Sequence, residues 1–252
     1  MNLVDMTWPE VAGLSRDLPV VIPVAAVEQH GHHLPVVTDS LLLGEIVKRV
    51  SGRMADAALF APLQWLGNSH HHLDFPGTLS ASPRVYLDLV GDLVECFLTH
   101  GFRRIVVVNG HGGNDVPAKQ ALFEVRQRHR QRDDLLLLMT TYWGLGTRPW
   151  EHDTSIVQRE MGHACEWETS MVLRAAPHLV KPHERLATVP FGNPFLPGSR
   201  AWITKERTEP GHIGSPQEAS AAKGELLFTL FAADLERWLE RVVRWDGRSW
   251  EG

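Results

Sequence analysis

One stretch, residues 21–39 with the sequence VIPVAAVEQHGHHLPVVTD, most constrains what this chain can fold into. It begins as an apolar run typical of strands that are buried on both faces of a sheet. It ends in a loop-like segment that carries Glu28, His30 and Asp39. Carboxylate oxygens and imidazole nitrogens together suit zinc, manganese or iron. The stretch therefore predicts a buried strand that delivers half of a two-metal centre to one edge of a sheet.

Apolar strand patterns and helical patterns alternate over the first 140 residues. The predicted strands are Leu18–Val27, Ala57–Leu63, Arg104–Val108 and Leu135–Thr141. Helices are predicted from Thr38 or Asp39, from Ser82-Pro83 to Gly101, and from the NGHGGN segment (109–114) to about Arg130. This alternation predicts an α/β fold with a mainly parallel sheet. Ligands of such sheets bind beyond the carboxyl ends of the strands, where both polar loops are expected to lie.

The second half of the chain is less periodic. Residues 142–162 are predicted to form a long loop or lid, in which Trp143 and Trp150 could line a pocket. A helix from about His163 to Ala175 is expected next, followed by an irregular region rich in Pro and Gly. The capping-box sequence Ser215–Glu218 predicts the start of a last helix that ends near residue 243.

Composition excludes several classes of protein. The 252 residues are 43% hydrophobic with a formal net charge of -5, which fits one globular domain over 1–252 and disfavours nucleic acid as a partner. The two cysteines, Cys96 and Cys165, give neither a disulfide framework nor a zinc ribbon. No apolar run approaches the roughly 20 residues that span a bilayer, and the first residues do not look like an export signal. We expect a cytoplasmic protein that is not bound to membranes and acts on a small molecule.

The polar residues after the predicted strands are the candidates for chemistry. Glu28 and His30 are two residues apart, so their side chains point the same way in an extended chain, although an exposed loop pair is the alternative. Asp39 could bind metal or simply stabilise the start of a helix. His111 lies in a Gly-rich turn after a strand, where a metal ligand is favoured over a phosphate-binding turn because the segment has no Lys and neither nucleotide motif.

The segment HACEWETS supplies further candidates. If a helix includes His163, then Glu166 lies about 60° around from it and Glu168 about 140° away. This geometry favours Glu166 over Glu168 at the site, with a partly exposed helix surface as the alternative for the whole set. His72, in the run of three histidines, is interpreted as part of a pocket rim, with a solvated loop as the alternative. The histidines at positions 32 and 33 are interpreted as neighbours that do not bind metal.

Five motifs in sequence order resemble the creatininase family of metal-dependent amidohydrolases over essentially the whole chain. They are EQHGHHLP with Asp39, the FPGT of residues 75–78, NGHGGN, HACEWETS, and GHIGSP with ASAAKG. The resemblance implies a three-layer αβα sandwich, two divalent metal ions per subunit (zinc with zinc, manganese or iron) and a homohexamer.

The resemblance also implies a set of ligands. Glu28, Asp39 and His111 look like ligands of one metal, and His30 with the bridging Asp39 look like ligands of the second. In the namesake creatininases a Glu two residues after the NGH-type His completes the second site, whereas this chain has Gly113 there. Glu166 is the candidate for the missing ligand. Cys165 stands where family members usually carry Gly, which could alter local packing or bring a thiol near the metals.

These observations predict hydrolysis of a non-peptide or modified amide C–N bond by a water held between two divalent metals. His163 is the candidate proton donor to the leaving nitrogen, and His72, Trp143 and Trp150 are candidate substrate contacts. The absence of the second Glu makes creatinine a poor candidate for the substrate. One alternative is deformylation, or the trimming of a modified peptide, in the biosynthesis of a cofactor. The other is a catalytically silent oligomer that binds metal or ligand.

Overall fold

The computed structural model describes residues 1–250, and its centre is a four-stranded sheet in which every strand is parallel to its neighbours. The strands are β1 (Val20–Val24), β2 (Leu59–Phe60), β3 (Arg104–Asn109) and β4 (Leu136–Thr141), in the spatial order β2-β1-β3-β4. Val24, Asn109 and Thr141 are aligned in register, so three strands end level with one another. The loops that follow them therefore leave the sheet at the same edge. The mainly parallel sheet predicted from the sequence is confirmed.

Within residues 1–250, eight α-helices accompany the sheet. In chain order they are α1 (Trp8–Ala12), α2 (Thr38–Arg53), α3 (Pro83–Thr99), α4 (Asp115–Arg128), α5 (Pro149–His152), α6 (Glu166–Ala175), α7 (Thr204–Arg207) and α8 (Ala221–Arg244). Short 3-10 turns connect several of them, including one at His70–His72 and one at Gly112–Asn114.

Each face of the sheet packs against its own group of helices. Because successive strand residues point to opposite faces, Val21 and Val106 pack with α2, α6 and α8, whereas Ile22 and Val107 pack with α3 and α4. All four side chains are buried, as expected for strands covered on both sides. The result is a helix layer, a sheet layer and a second helix layer, which confirms the αβα sandwich.

Two segments differ from the sequence prediction. The last helix begins at Ala221 rather than at the capping-box sequence, because residues Pro216–Glu218 form only a 3-10 turn and Ser220 caps the helix by accepting a hydrogen bond from the Lys223 amide. Residues 142–162 are not a loop throughout, since they contain a 3-10 turn and α5. Thr147 fixes this segment by donating hydrogen bonds from its amide and hydroxyl to Asp234 of α8.

No helix within residues 1–250 is both long enough and apolar enough to cross a membrane.

Candidate metal centre

Side chains from three separate segments meet at the carboxyl edge of the sheet. Glu28 and His30 follow β1, Asp39 lies in the first turn of α2, and His111 follows β3. All four are buried, with at most 4% of their surface exposed. The structure therefore brings together four of the five side chains that the sequence suggested as metal ligands.

Asparagine side chains hold these loops in position. Asn114 donates a hydrogen bond to the carbonyl of Ala25 (3.0 Å) and accepts one from the amide of Asn68 (2.8 Å). Asn109 accepts a hydrogen bond from the amide of His111 (3.0 Å) and donates one to its carbonyl (2.7 Å). The NGHGGN motif thus uses both of its asparagines to fix the turn that presents His111.

His30 and His111 each have one nitrogen held by a backbone carbonyl and the other facing the cluster. His30 Nδ1 lies 3.0 Å from the carbonyl oxygen of Glu28, and His111 Nε2 lies 3.0 Å from that of Asn68. A ring N–H that donates to a carbonyl leaves the opposite nitrogen free as a ligand atom, the arrangement commonly found for histidines that bind metals. Those inner nitrogens are His30 Nε2, 3.1 Å from Asp39 Oδ1, and His111 Nδ1, 3.0 Å from Asp39 Oδ2.

Carboxylate oxygens at the centre of the cluster accept no hydrogen bond from any described residue, although they are buried. These oxygens are Glu28 Oε1, Glu28 Oε2 and Asp39 Oδ2. A buried carboxylate without partners is costly. The imidazole nitrogens of His72 (3.3 Å), His111 (3.3 Å) and His163 (3.5 Å) lie close to Glu28 Oε1. Unpartnered carboxylate oxygens that face imidazole nitrogens fit divalent cations such as zinc or manganese.

The pKa values show how strongly the cluster attracts positive charge. Burial lowers the pKa of His111, but the facing carboxylates of Glu28 and Asp39 outweigh it and raise that pKa to about 10. Burial also lowers the pKa of His30, and Asp39 with Glu168 again outweighs it, so the pKa lies well above its usual value. Burial raises the pKa of Glu28, whereas the pKa of Asp39 is low because His30 and His111 offset its burial. A divalent cation would supply the positive charge that these carboxylates favour.

His163 lies over the cluster between two other rings. Its ring centroid is 4.3 Å from those of both His30 and His72. His163 Nε2 donates a hydrogen bond to the carbonyl of Gln29 (2.7 Å), which turns Nδ1 towards Glu28. Burial lowers the pKa of His163 well below its usual value, and the neighbouring His30 and His72 add to this effect.

His72 is oriented the opposite way. Its Nδ1 lies 2.8 Å from Gln29 Nε2 and 2.9 Å from the hydroxyl of Thr204. The side-chain NH2 of Gln29 can only donate, and the orientation of this side chain is fixed because its oxygen accepts a hydrogen bond from the amide of Gly31. Nδ1 of His72 is therefore the acceptor, and the proton lies on Nε2, the nitrogen that faces Glu28. His72 is arranged as a hydrogen-bond donor rather than a metal ligand.

Glu166 does not face this cluster. Its carboxylate accepts hydrogen bonds from the amides of Val157 and Gln158 and from the ammonium group of Lys223 (2.7 Å), and the residue is fully buried. Both of its carboxylate oxygens are therefore engaged by the surrounding protein. The expectation that Glu166 shares the site with His163 does not hold for this structure.

Glu168 lies where Glu166 was expected. Its Oε1 is 3.7 Å from His30 Nε2, and Oε2 accepts a hydrogen bond from the amide of Cys165 (3.4 Å). The helical argument from the sequence failed because His163 precedes the helix: Ala164 adopts a positive φ of 47°, Cys165 is the N-cap, and α6 begins at Glu166. Cys165 and Glu168 form a capping box, a spacing that could have indicated this start.

The position of Gly113 accepts no side chain. A Cβ atom there would lie 2.2 Å from the carbonyl oxygen of Asn68 and 2.5 Å from His111 Nε2. A Glu at this position, as in the namesake creatininases, would displace the hydrogen bond that orients His111. The local backbone thus leaves no space for a Glu side chain at position 113.

A cavity of about 680 Å³ opens onto the cluster. Its walls include His72 and Trp143, two of the predicted substrate contacts, together with His163 and Glu168. Trp150 is not part of the lining: it packs against Trp167 with ring centroids 6.3 Å apart. The sequence analysis missed a third group of lining residues, which comes from the irregular region between α6 and α8.

The remaining candidates lie outside the cluster. His33 is buried, and its Nε2 lies 2.8 Å from the hydroxyl of Thr169, while His32 is exposed. The thiol of Cys165 is buried 3.9 Å from Met161 Sδ, and burial raises its pKa to about 12. Cys165 therefore has the environment of a packed neutral side chain.

An αβα sandwich with carboxylates and imidazoles gathered at the carboxyl edge of its sheet defines a class of α/β proteins with a candidate metal centre. Sequence comparison identifies the family within this class to which the chain belongs. A family model for creatininase, described as creatinine amidohydrolase, matches residues 4–239. The chain belongs to the creatininase family and is a hydrolase.

Individual relatives agree with this assignment. The creatinine amidohydrolase of Pseudomonas putida is 29% identical over 245 residues, which cover 88% of this chain and 90% of the relative. The mycofactocin precursor peptide peptidase of Mycobacterium tuberculosis is 30% identical over 241 residues, which cover 90% of this chain and 85% of the relative. Among solved structures, a mutant creatininase complexed with creatine superposes with a TM-score of 0.82 at 27% identity, over 96% of this chain and 98% of that one.

Proposed function

We propose that this protein hydrolyses the C–N bond of a non-peptide or modified amide at a centre of two divalent metal ions. The observation that carries the proposal is a pair of buried carboxylate oxygens, Glu28 Oε1 and Asp39 Oδ2, that accept no hydrogen bond from the described residues and face the inner nitrogen of His111. Family membership supports a hydrolase, and one similar structure is described as a manganese creatininase and another as a zinc–zinc form.

The ligand assignment combines the sets implied by the family resemblance with the proximity of the side chains. Glu28, Asp39 and His111 would hold one metal, and His30, Asp39 and Glu168 would hold the second. Glu168 replaces the sequence-based candidate Glu166, because Glu168 has a carboxylate oxygen 3.7 Å from His30 Nε2, whereas Glu166 pairs with Lys223. Zinc, manganese and iron all suit this mixture of carboxylate and imidazole ligands. Such ions activate a water molecule at neutral pH and polarise the substrate carbonyl.

The residues around the ligands bind and orient the substrate. His163 lines the cavity, and its Nε2–H donates to the carbonyl of Gln29, so the inward Nδ1 carries no proton and would take one from the attacking water before passing it to the leaving nitrogen. His72 presents an N–H beside Glu28 and can steady an oxygen of the substrate. Trp143 gives the cavity an apolar wall.

A modified peptide is the second candidate substrate, because a relative at 30% identity is named a mycofactocin precursor peptide peptidase. Creatinine is disfavoured, since Gly113 excludes the second-site Glu of the namesake enzymes. The hexamer and the cytoplasmic location stay predictions from the resemblance and from composition.

Metal analysis combined with an amide panel tests the proposal. The protein is purified without added metal, its bound metals are measured by mass spectrometry, and hydrolysis of cyclic amides, formamides and short peptides is followed before and after chelation. We expect about two divalent ions per subunit and an amidase activity that chelation abolishes and metal restores. A protein without tightly bound metal, or with activity unaffected by chelation, would contradict it.

A further inference from the structure

The cavity lining carries charges of both signs. Its acidic residues, Glu28, Asp39 and Glu168, all belong to the cluster, whereas the segment between α6 and α8 contributes Arg200 and Arg207. The charge of two divalent cations would exceed that of the three carboxylates. A substrate that enters the loaded cavity would then meet positive charge at the cluster and at the two arginines, which favours an anion.

Arg207 is a cation without an acidic partner among the residues that the structure describes. Within residues 1–250 its guanidinium takes part in no ion pair, although Glu206 is adjacent in sequence, and it lies over the ring of Trp202 at 4.8 Å from the centroid. Partial burial lowers the pKa of Arg207, yet a guanidinium stays charged at neutral pH. Stacking on Trp202 restricts the side chain while leaving its N–H groups free to bind a ligand.

A series of contacts connects Arg207 to the metal cluster. Trp202 meets the edge of His71 at a centroid distance of 5.0 Å, and His71 stacks on His111 at 5.8 Å. Thr204, at the start of α7, lies with its hydroxyl 2.9 Å from His72 Nδ1. Because residues three apart share a helix face, the Thr204 contact also directs Arg207 towards the cavity. The wall that carries the guanidinium is thus fixed relative to the reacting centre.

We propose that the substrate carries a carboxylate on the part remote from the scissile amide, and that Arg207, stacked on Trp202, binds it. The inference rests on the proposed function, since it names the class of amide that the site accepts. A guanidinium matches a carboxylate with two parallel N–H donors, a geometry that a lysine cannot supply. Arg207 would therefore set which amides bind and in which orientation.

Binding of a matched pair of ligands tests this inference without requiring turnover. The probes are N-benzoylglycine and N-ethylbenzamide, which share an amide and differ in the carboxylate, titrated calorimetrically into metal-loaded protein. We expect N-benzoylglycine to bind about tenfold or more tightly, the range of a charged hydrogen-bonded contact. Arg207→Gln should remove most of this preference, and Arg207→Lys should restore only part of it.

Lys205→Gln is the matched control, because it removes the same charge from the same short helix at a position outside the cavity lining. It should change either affinity less than about twofold. Equal binding of the two probes, no binding of either, or an equal loss in Arg207→Gln and Lys205→Gln would overturn the proposal. Tighter binding of the phosphonate analogue of N-benzoylglycine would also overturn it in favour of a phosphate-bearing substrate.

The outcome is separable from the proposed function. Binding that depends on Arg207 together with failure of the amide panel would refute the hydrolase chemistry and keep the carboxylate site. Metal-dependent amide hydrolysis without a carboxylate preference would do the reverse.

Discussion

Glu166 and Glu168 lie two residues apart in the first turn of α6, and both are buried. Glu166 accepts hydrogen bonds from two backbone amides and pairs with Lys223 of α8, so its charge is balanced by the protein itself. Glu168 uses one oxygen to cap its helix and turns the other towards His30. Two neighbouring glutamates thus have different surroundings. Glu166 links α6 to α8 through Lys223, whereas Glu168 has an oxygen available to a ligand.

The largest effect is expected on Glu168. The variant Glu168→Gln keeps the shape and the hydrogen bond to the Cys165 amide but removes a charged oxygen beside His30. We expect about one metal per subunit instead of two, and a loss of kcat/KM of at least about 100-fold. Metal analysis and kinetics on the same preparation measure both. Two tightly bound metals and full activity would exclude Glu168 as a ligand, and Glu166→Gln is the matched control.

A substitution of His163 distinguishes a role in metal binding from a role in proton transfer. His163→Gln retains a donor for the carbonyl of Gln29 but cannot carry a proton to the leaving group. We expect kcat to fall about 100-fold or more with both metals retained. Loss of a metal in this variant would instead assign His163 as a ligand, a role that its proximity to Glu28 permits.

Substitution of Glu166 should lower the stability of the fold rather than the metal content. Glu166→Gln leaves the Lys223 ammonium buried without its partner, which costs about 3–5 kcal/mol in the free energy of unfolding. Chemical denaturation of the metal-free protein at neutral pH measures this loss. We expect the folded variant to bind two metals, as the wild type does. An unchanged unfolding free energy combined with a lost metal would reverse the roles of the two glutamates.

A second substitution, at Lys223, tests whether the unpaired ammonium causes the loss of stability in Glu166→Gln. Adding Lys223→Met to Glu166→Gln removes the unpaired charge, while the Gln oxygen can still accept from the amides of Val157 and Gln158. The double variant should therefore be about 1–3 kcal/mol more stable than Glu166→Gln alone. Denaturation of the two single variants and the double variant completes the cycle. A double variant no more stable than Glu166→Gln would show that the cost lies elsewhere than in the unpaired ammonium.

The sequence predicted the elements whose patterns are local. The apolar runs of β1, β3 and β4 identified a parallel sheet, and parallel strands necessarily deliver their following loops to one edge. The proximity of Glu28, His30, Asp39 and His111 followed from that rule. The ends of β1 were less certain, because an apolar run does not show where pairing stops.

The finding that Glu168 rather than Glu166 faces the cluster could not be derived from the sequence in the same way. It depends on Ala164, a non-glycine residue with positive φ, and on a helix capped by Cys165, which is an uncommon N-cap type. Trp150 was assigned to the pocket because its segment lacked periodicity, whereas its contact with Trp167 is tertiary. The wall that carries Arg207 arises from an irregular region, where local sequence gives little information about position.

The smallest effect concerns a third glutamate, Glu225, which lies two residues after Lys223 on α8 but on the exposed surface. It pairs with Arg49 and Arg174 at 2.8 Å and 2.7 Å, and chiefly the hydrogen bond from Arg49 lowers its pKa to about 2. Because the folded-state pKa is lower than that of an unfolded Glu, about 4.3, the pairing stabilises the fold above that value. This contribution is lost as the pH falls towards 2.

Solvent screens this network, so Glu225→Gln should cost only about 0.2–1 kcal/mol at pH 7. The difference from wild type should shrink at pH 3 and in high salt. Urea denaturation at both pH values measures it, with Glu166→Gln as the buried counterpart. A loss at pH 7 as large as that of Glu166→Gln would mean that burial does not distinguish the ion pairs of Glu225 from the Glu166–Lys223 pair.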